Sequence, residues 1–175
     1  MAVAKSYGVS KIIAFDIEPA RVEFAKSYCA DDAYVVPKDY SGKDSFQFAN
    51  EFVKTVLEEQ KLPYGVDVAI DATGAEVCMQ MAVFITKPHG TYLQAGFGKH
   101  LTLMPMGLMA AKSISIKGTV RYGPGTFEDA IDLLARGKID IAPLITATYP
   151  LTKIQDALAA QISREGIKIV LINQE

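Results

Sequence analysis

The sequence is poor in the residues that staple or metallate a fold. Its 175 residues include two cysteines, Cys29 and Cys78, and two histidines, His89 and His100. The cysteines lie far apart, without a Cys-x-x-Cys spacing or a paired histidine, which argues against a disulfide framework and a zinc knuckle. Both read as small buried hydrophobes. The histidines have no cysteine or acid at ligand spacing; His89, in a turn KPHG, and His100, in a polar loop, read as exposed residues without a chemical role. No basic block or stripe occurs in a chain of formal charge −2, which argues against a nucleic-acid or anionic-membrane partner. No apolar run approaches the roughly 18 residues of a membrane span. The N-terminal segment lacks the basic start, apolar centre and small-residue cleavage site of a secretory signal, so the expected address is cytoplasmic.

What is present is a regular alternation. Half of the residues are apolar, enough for a sizeable core. Strands are expected at 11–15, 33–36 and 66–70 and over TYLQAG (91–96), with helices at about 20–28, 46–60 and 76–85 between them. This order predicts an α/β fold with a parallel sheet covered on both faces. LTL (101–103) and SISIKGTV (113–120) then read as strands around a short helix at about 105–111. PGTFEDAIDLLARGKI follows as an amphipathic helix with Phe127, Ile131, Leu134 and Ile139 on its apolar side, closed by Gly137. A strand-like PLITATYPL, a helix at about 152–162 and a last strand IKIVLI complete the chain.

The opening MAVAKSYGVSKIIAFDIEPAR carries the first functional signal. Seven helix-forming residues end at Gly8, a short stub beside the mean helix of about 11 to 12 residues. A strand then closes at Asp16, and a new helix begins at about Ala20 with Glu18 as its cap; Asp16 itself reads either as a functional acid or as a capping or solvated one ahead of Pro19. In a dinucleotide-binding unit an acid about 20 residues beyond a Gly-rich turn accepts hydrogen bonds from the adenosine ribose. Counting back from Asp16 puts that turn ahead of Met1. The expectation is therefore a doubly wound sheet that lacks its first strand and Gly-rich loop. In the order 3-2-1-4-5-6 the absent strand is central, so the strands at 11–15 and 66–70 are expected either to stand apart or to collapse onto each other.

Ligands in such sheets lie across the carboxyl ends of the strands. Here those ends are Asp16, Thr73 with Gly74, Ala95 with Gly96 and Phe97, and Thr119 with Val120 and Arg121. Glycine at 74 and 96 permits close approach of backbone to a flat cofactor, although both could simply make turns, and the Thr73 hydroxyl suits a ribose. Asp16 favours NAD over NADP, because a carboxylate repels a 2′-phosphate. Arg21 either stacks on adenine, accommodates that phosphate or sits solvated on its helix.

The stretches FDIEPARVEFAKSYCADDAYV, GVDVAIDATGAE, HGTYLQAGFG and SIKGTVRYGPGTFEDAIDLLARGKIDIAPLITATYPLTKIQDAL, in this order, resemble the zinc-dependent medium-chain dehydrogenases, and within them the polyol branch of sorbitol, xylitol and arabinitol dehydrogenases. DATGAE and KGTVRY are the strongest signals. The resemblance covers the chain but only the C-terminal half of a family member. It implies a coenzyme-binding domain at 1–141 and, at 142–175, a segment returning toward a catalytic domain absent from this sequence. It also implies NAD as cofactor and a small polyol as substrate, with Arg121 and Tyr122 on the substrate side. The catalytic zinc belongs to a full-length protein, since its cysteine, histidine and glutamate ligands are not in this chain.

The function expected is the coenzyme-binding portion of an NAD-dependent polyol dehydrogenase, inactive as this isolated chain. Two other readings compete: a non-catalytic product acting through dimerisation alone, and a methyltransferase-like nucleotide-binding domain. The apolar segment 101–118 is the expected surface for a homo-oligomer, with burial inside the same chain as its alternative.

Overall fold

Apolar residues in this chain recur at a spacing near two in some stretches and near 3.6 in others. The computed structural model, which describes residues 1–164 and 166–173, turns these runs into helices and parallel strands. In chain order they are α1 (Ala2–Ser6), β1 (Ile13–Asp16), α2 (Pro19–Tyr28), β2 (Asp32–Val35), α3 (Ser45–Glu59), β3 (Val66–Asp71), α4 (Glu76–Ile85) and β4 (Thr86–Gln94). Then follow α5 (Met106–Ala111), β5 (Ser115–Gly118), α6 (Thr126–Ala135), β6 (Ile145–Pro150), α7 (Ile154–Ile162) and β7 (Lys168–Ile172). The chain divides into two compact units, one of Met1–Lys38 with Gly123–Glu175 and one of Asp39–Tyr122.

In the first unit β1 and β2 pair in parallel from Ile13 with Asp32 to Asp16 with Val35, joined by α2. Pro19 starts α2, where its fixed φ and missing N–H cost nothing. Val22 and Ala25 on α2 bury against Ala33 of β2, with Ala14 and Ala30 at the margin, so the small side chains bring helix and strand close together. Glu18 is the N-cap residue, as expected, but its side chain does not cap the helix. It forms ion pairs instead. β6 and β7 make a second parallel pair, crossed by α7 with Ala157 and Ala160 buried.

In the second unit β3, β4 and β5 form a parallel sheet in that order. Asp44 caps α3 by accepting the Gln47 N–H at 2.8 Å. Ala49, Val53 and Val56, one helical face, are buried, the two valines each contributing roughly 1.5–3 kcal/mol. The α3 face packs on α4, which is apolar around most of its circumference and buries Val77, Met79, Met81, Ala82, Val83 and Ile85. α4 passes into β4 without a loop. The carbonyls on both sides of this junction are satisfied by side chains: Thr86 Oγ1 donates to Ala82 O at 2.6 Å, and the Lys112 ammonium donates to Val83 O and Phe84 O of α4 and to Thr86 O of β4 at 3.2, 2.7 and 2.9 Å. Burial pushes the Lys112 pKa below the ordinary lysine value.

Several expectations change. LTL at 101–103 is not a strand, because the backbone of Leu103 is taken by side chains: its N–H donates to Glu76 Oε2 at 3.0 Å and its carbonyl accepts from Gln80 Nε2 at 2.9 Å. KPHG is not a turn ahead of a strand. Residues 87–90 bulge within β4, whose register jumps from Thr86 opposite Val66 to Thr91 opposite Val68. His89 sits in the bulge at φ +58°, exposed, its N–H on Lys112 O at 2.8 Å. The sheet is not covered on both faces, since Val68 and Ile70 of β3 are 54 % and 61 % exposed. The apolar side of α6 is likewise open at Phe127, Ile131 and Leu134. Cys29 and Cys78 are half-buried rather than buried, one just beyond the end of α2 and one on the flank of α4. The strands at β1 and β3 belong to separate sheets, and no ladder joins them among the described residues.

Replacing Lys112 with Met removes a charged donor from the end of α4. The expected loss is about 1–3 kcal/mol of unfolding free energy, read from urea denaturation. A change within about 0.5 kcal/mol would mean that water serves these carbonyls equally well.

Candidate functional site

Alternation along β3 turns Ala69 and Asp71 toward α4, and it puts an acid, Asp71, at the carboxyl end of the strand with only 4 % of its surface exposed. No cation neutralises it by an ion pair among the described residues. The charge is instead spread over four donors: Thr73 N–H at 2.8 Å and Thr73 Oγ1 at 2.7 Å on Oδ1, and Gly74 N–H at 3.0 Å and Gln94 Nε2 at 2.8 Å on Oδ2. Gln94 Nε2 also donates to Gly96 O at 2.8 Å, and the Tyr92 hydroxyl donates to Gln94 Oε1. The main-chain oxygen of Asp71 accepts from both Ala95 and Gly96 N–H at 2.8 Å. Burial pushes the Tyr92 phenol pKa upward, with the Asp71 and Cys78 charges adding to the effect.

This network draws the ends of β3 and β4 together until backbone touches backbone. Gly74 has φ +74°, and a Cβ there would lie 2.3 Å from the carbonyl carbon of Phe97. A Cβ on Gly96 would lie 2.3 Å from Gly74 N. Glycine at both positions is thus required by the contact between the two loops themselves. Thr73 is exposed, its hydroxyl engaged with Asp71 and with Ala75 N–H at 3.0 Å. Phe97 is 79 % exposed. Thr119 continues from β5 with its N–H on Gln94 O at 3.0 Å, and Val120, Arg121 and Tyr122 follow it, all exposed, Arg121 at φ +53°. The structure therefore brings Thr73, Gly74, Ala95, Gly96, Phe97, Thr119, Val120 and Arg121 to one edge of one parallel sheet.

Asp16 and Arg21 lie in the other unit, at the carboxyl end of β1 and in the first turns of α2. Asp16 is half-buried. Its Oδ1 accepts the Glu18 N–H at 2.9 Å, which leaves Oδ2 open. Arg21 Nε is buried without a hydrogen-bond partner. A carboxylate with one free oxygen fits a ribose hydroxyl, so these residues suit a nucleotide. Zinc is different: no group of three His, Cys, Asp or Glu side chains among the described residues could hold a metal ion.

Asp71, Gln94 and Tyr92 were missed as site residues by sequence reasoning. Asp71 stands inside the DATGAE motif, and the available signal was an acid at the carboxyl end of a strand, on the same alternating face as the apolar Ala69. Gln94 and Tyr92 acquire their roles only from the register of β4 on β3.

Comparison with known proteins bears on this edge. The family model described as zinc-binding dehydrogenase matches residues 1–136. A probable D-xylulose reductase A of Aspergillus clavatus is 35% identical over 170 residues, which is 97% of this chain and 45% of that protein. The alcohol dehydrogenase TADH from Thermus sp. ATN1 superposes with a TM-score of 0.82 at 21% identity, over 98% of this chain and 46% of that one. An alcohol dehydrogenase (rspB) from E. coli CFT073, solved in complex with NADH, gives a TM-score of 0.75 at 23% identity, over 92% and 44%. The chain spans about 45% of the length of the curated relatives it matches.

Asp71→Asn places an amide nitrogen among donors and breaks the tie between the two loops. A loss of about 2–3 kcal/mol is expected from the charged hydrogen bonds, with faster amide exchange at Thr73, Gly74 and Gly96. Unchanged exchange at Gly96 would show that β4 holds its end without Asp71.

Proposed function

We propose, on the premise that this chain belongs to the zinc-binding dehydrogenase family, that it is the coenzyme-binding portion of an NAD-dependent polyol dehydrogenase, an oxidoreductase that oxidises a sugar alcohol to a ketose. The observation that carries the reading is the sheet edge at which the carboxyl ends of β3, β4 and β5 gather small, exposed and glycine-bearing turns. The family match speaks against the methyltransferase alternative. The name of the Aspergillus relative supports a polyol or ketose as the substrate class, and the NADH complex of the E. coli neighbour supports NAD. When bound, NAD supplies the acceptor for hydride.

In this reading the free oxygen of Asp16 accepts from the adenosine ribose, and Arg21 is the second residue of that unit assigned to the coenzyme. Thr73, Gly74, Ala95, Gly96, Phe97, Thr119 and Val120 line the nicotinamide side, and Arg121 with Tyr122 stands toward the substrate. Residues 1–141 form the coenzyme-binding module and 142–175 a segment that serves a catalytic domain. No step through zinc is derived, because the described residues do not offer a ligand set. Since the sequence also holds no Gly-x-Gly-x-x-Gly turn leading a helix, this chain alone is proposed to be inactive. A soluble cytoplasmic enzyme is the matching setting.

Titrating the purified chain with NAD by calorimetry, alongside a polyol oxidation assay, is expected to give no saturation at micromolar concentration and no NADH. Saturable micromolar binding would overturn the inactivity. Association of copies through residues 101–118 belongs to the same proposal, supported by the exposure of Leu101, Leu103 and Met106, while Met109 is buried within the chain. Leu103→Glu is expected to abolish any dimer seen by sedimentation, and a dimer surviving this change would place the contact elsewhere.

A further inference from the structure

The carboxyl end of β1 carries more charge than its single ribose-facing acid. The main chain of Glu18 orients Asp16, its N–H donating to Asp16 Oδ1 at 2.9 Å. The side chain of Glu18 turns to two cations from distant parts of the sequence: Lys38 Nζ, beyond β2, lies 2.8 Å from Glu18 Oε1, and Arg164 Nη1, beyond α7, lies 3.6 Å from the same oxygen. Arg21, one turn into α2, adds a third positive charge felt by Glu18. The Lys38 hydrogen bond, then the Lys38 charge, with Arg164 and Arg21 contributing less, hold the Glu18 pKa below the ordinary carboxylate value, so it is ionised throughout the neutral range.

We propose that Glu18 is a specificity-determining residue: by engaging Lys38 and Arg164 it denies a nucleotide 2′-phosphate the cations that would bind it, and so reinforces the preference of Asp16 for a free 2′-hydroxyl. This rests on the reading of Asp16 as a ribose acceptor. The two acids act differently. Asp16 acts by contact, offering an oxygen to a hydroxyl and repelling a phosphate. Glu18 acts on the surrounding cations, which would otherwise stand as three positive side chains against one carboxylate at the end of a β–α–β unit. That composition is what an arginine- or lysine-lined phosphate site requires. Exposed ion pairs of this kind contribute little to stability, and Lys38 and Arg164 are 64% and 57% exposed, so removing Glu18 frees the cations without threatening the fold.

The test compares adenosine 5′-monophosphate with adenosine 2′,5′-bisphosphate, each titrated at millimolar concentration and low salt into the full 175-residue chain, with NMR shifts read at β1 and the start of α2. Three proteins are used: the unaltered chain, Glu18→Gln, and Glu18→Gln combined with Lys38→Met and Arg164→Met. A thermal melt of each checks that it is folded. Glu18→Gln is expected to move the affinity ratio about three- to tenfold toward the bisphosphate, as loss of one nearby negative charge predicts for a dianion. The gain should vanish in the combined variant. An unchanged ratio in Glu18→Gln, with the monophosphate still shifting β1 resonances, overturns the inference and leaves Asp16 as a ribose acceptor. A gain that survives in the combined variant also overturns it, because the cations would then be irrelevant. If neither nucleotide shifts these resonances in any of the three proteins, the ribose reading of Asp16 fails and takes the inference with it.

Discussion

The buried carboxylate of Asp71 is the interaction on which the second unit depends. A charge with 4 % exposure and no ion-pair partner among the described residues is tolerable only if its oxygens are fully solvated by protein donors. Those donors come from the loop after β3 and from the end of β4. By demanding Thr73 and Gly74 from the loop and Gln94 from the strand, the carboxylate fixes how close the ends of β3 and β4 come, and with them the glycines that make the approach sterically possible. The site edge is thus a consequence of solvating one acid, and its small residues follow from that contact.

The same economy appears at the other end of α4, where Lys112 and Thr86 replace the missing loop, and at Leu103, whose peptide groups are held by Glu76 and Gln80. In each case a polar side chain does what a hydrogen-bond ladder or a terminal turn does elsewhere. Local sequence gives little sign of such devices, since Lys112 lies 26 residues from Thr86 and Glu76 lies 27 from Leu103.

Legibility followed this distinction. β1, α2, β3 and α4 were readable because their periodicity, their flanking Pro and Gly and their apolar runs are local properties. The family was readable from DATGAE and KGTVRY, and the alternation of strands and helices carried the parallel pairing. What failed was non-local. LTL has the alternation of a strand, yet its backbone partners are side chains of a helix; KPHG has the composition of a turn, yet the strand continues past it as a bulge. At the site, Gly74 and Gly96 are legible from spacing, whereas the acid that makes glycine necessary there draws one of its donors, Gln94, from 23 residues away and gives no local sign of its burial.

The direct passage of α4 into β4 has a consequence for how this unit comes apart. A helix and a strand joined by a loop can fray independently, because the loop absorbs the change in backbone direction. Here Ile85 ends the helix and Thr86 begins the strand, and Lys112 binds carbonyls on both sides of that junction. Opening the last turn of α4 therefore pulls on the first rung of β4, and releasing β4 uncaps α4. The two elements form one cooperative opening unit, and Lys112 extends it into the bulge at residues 87–90, where its carbonyl accepts the His89 N–H.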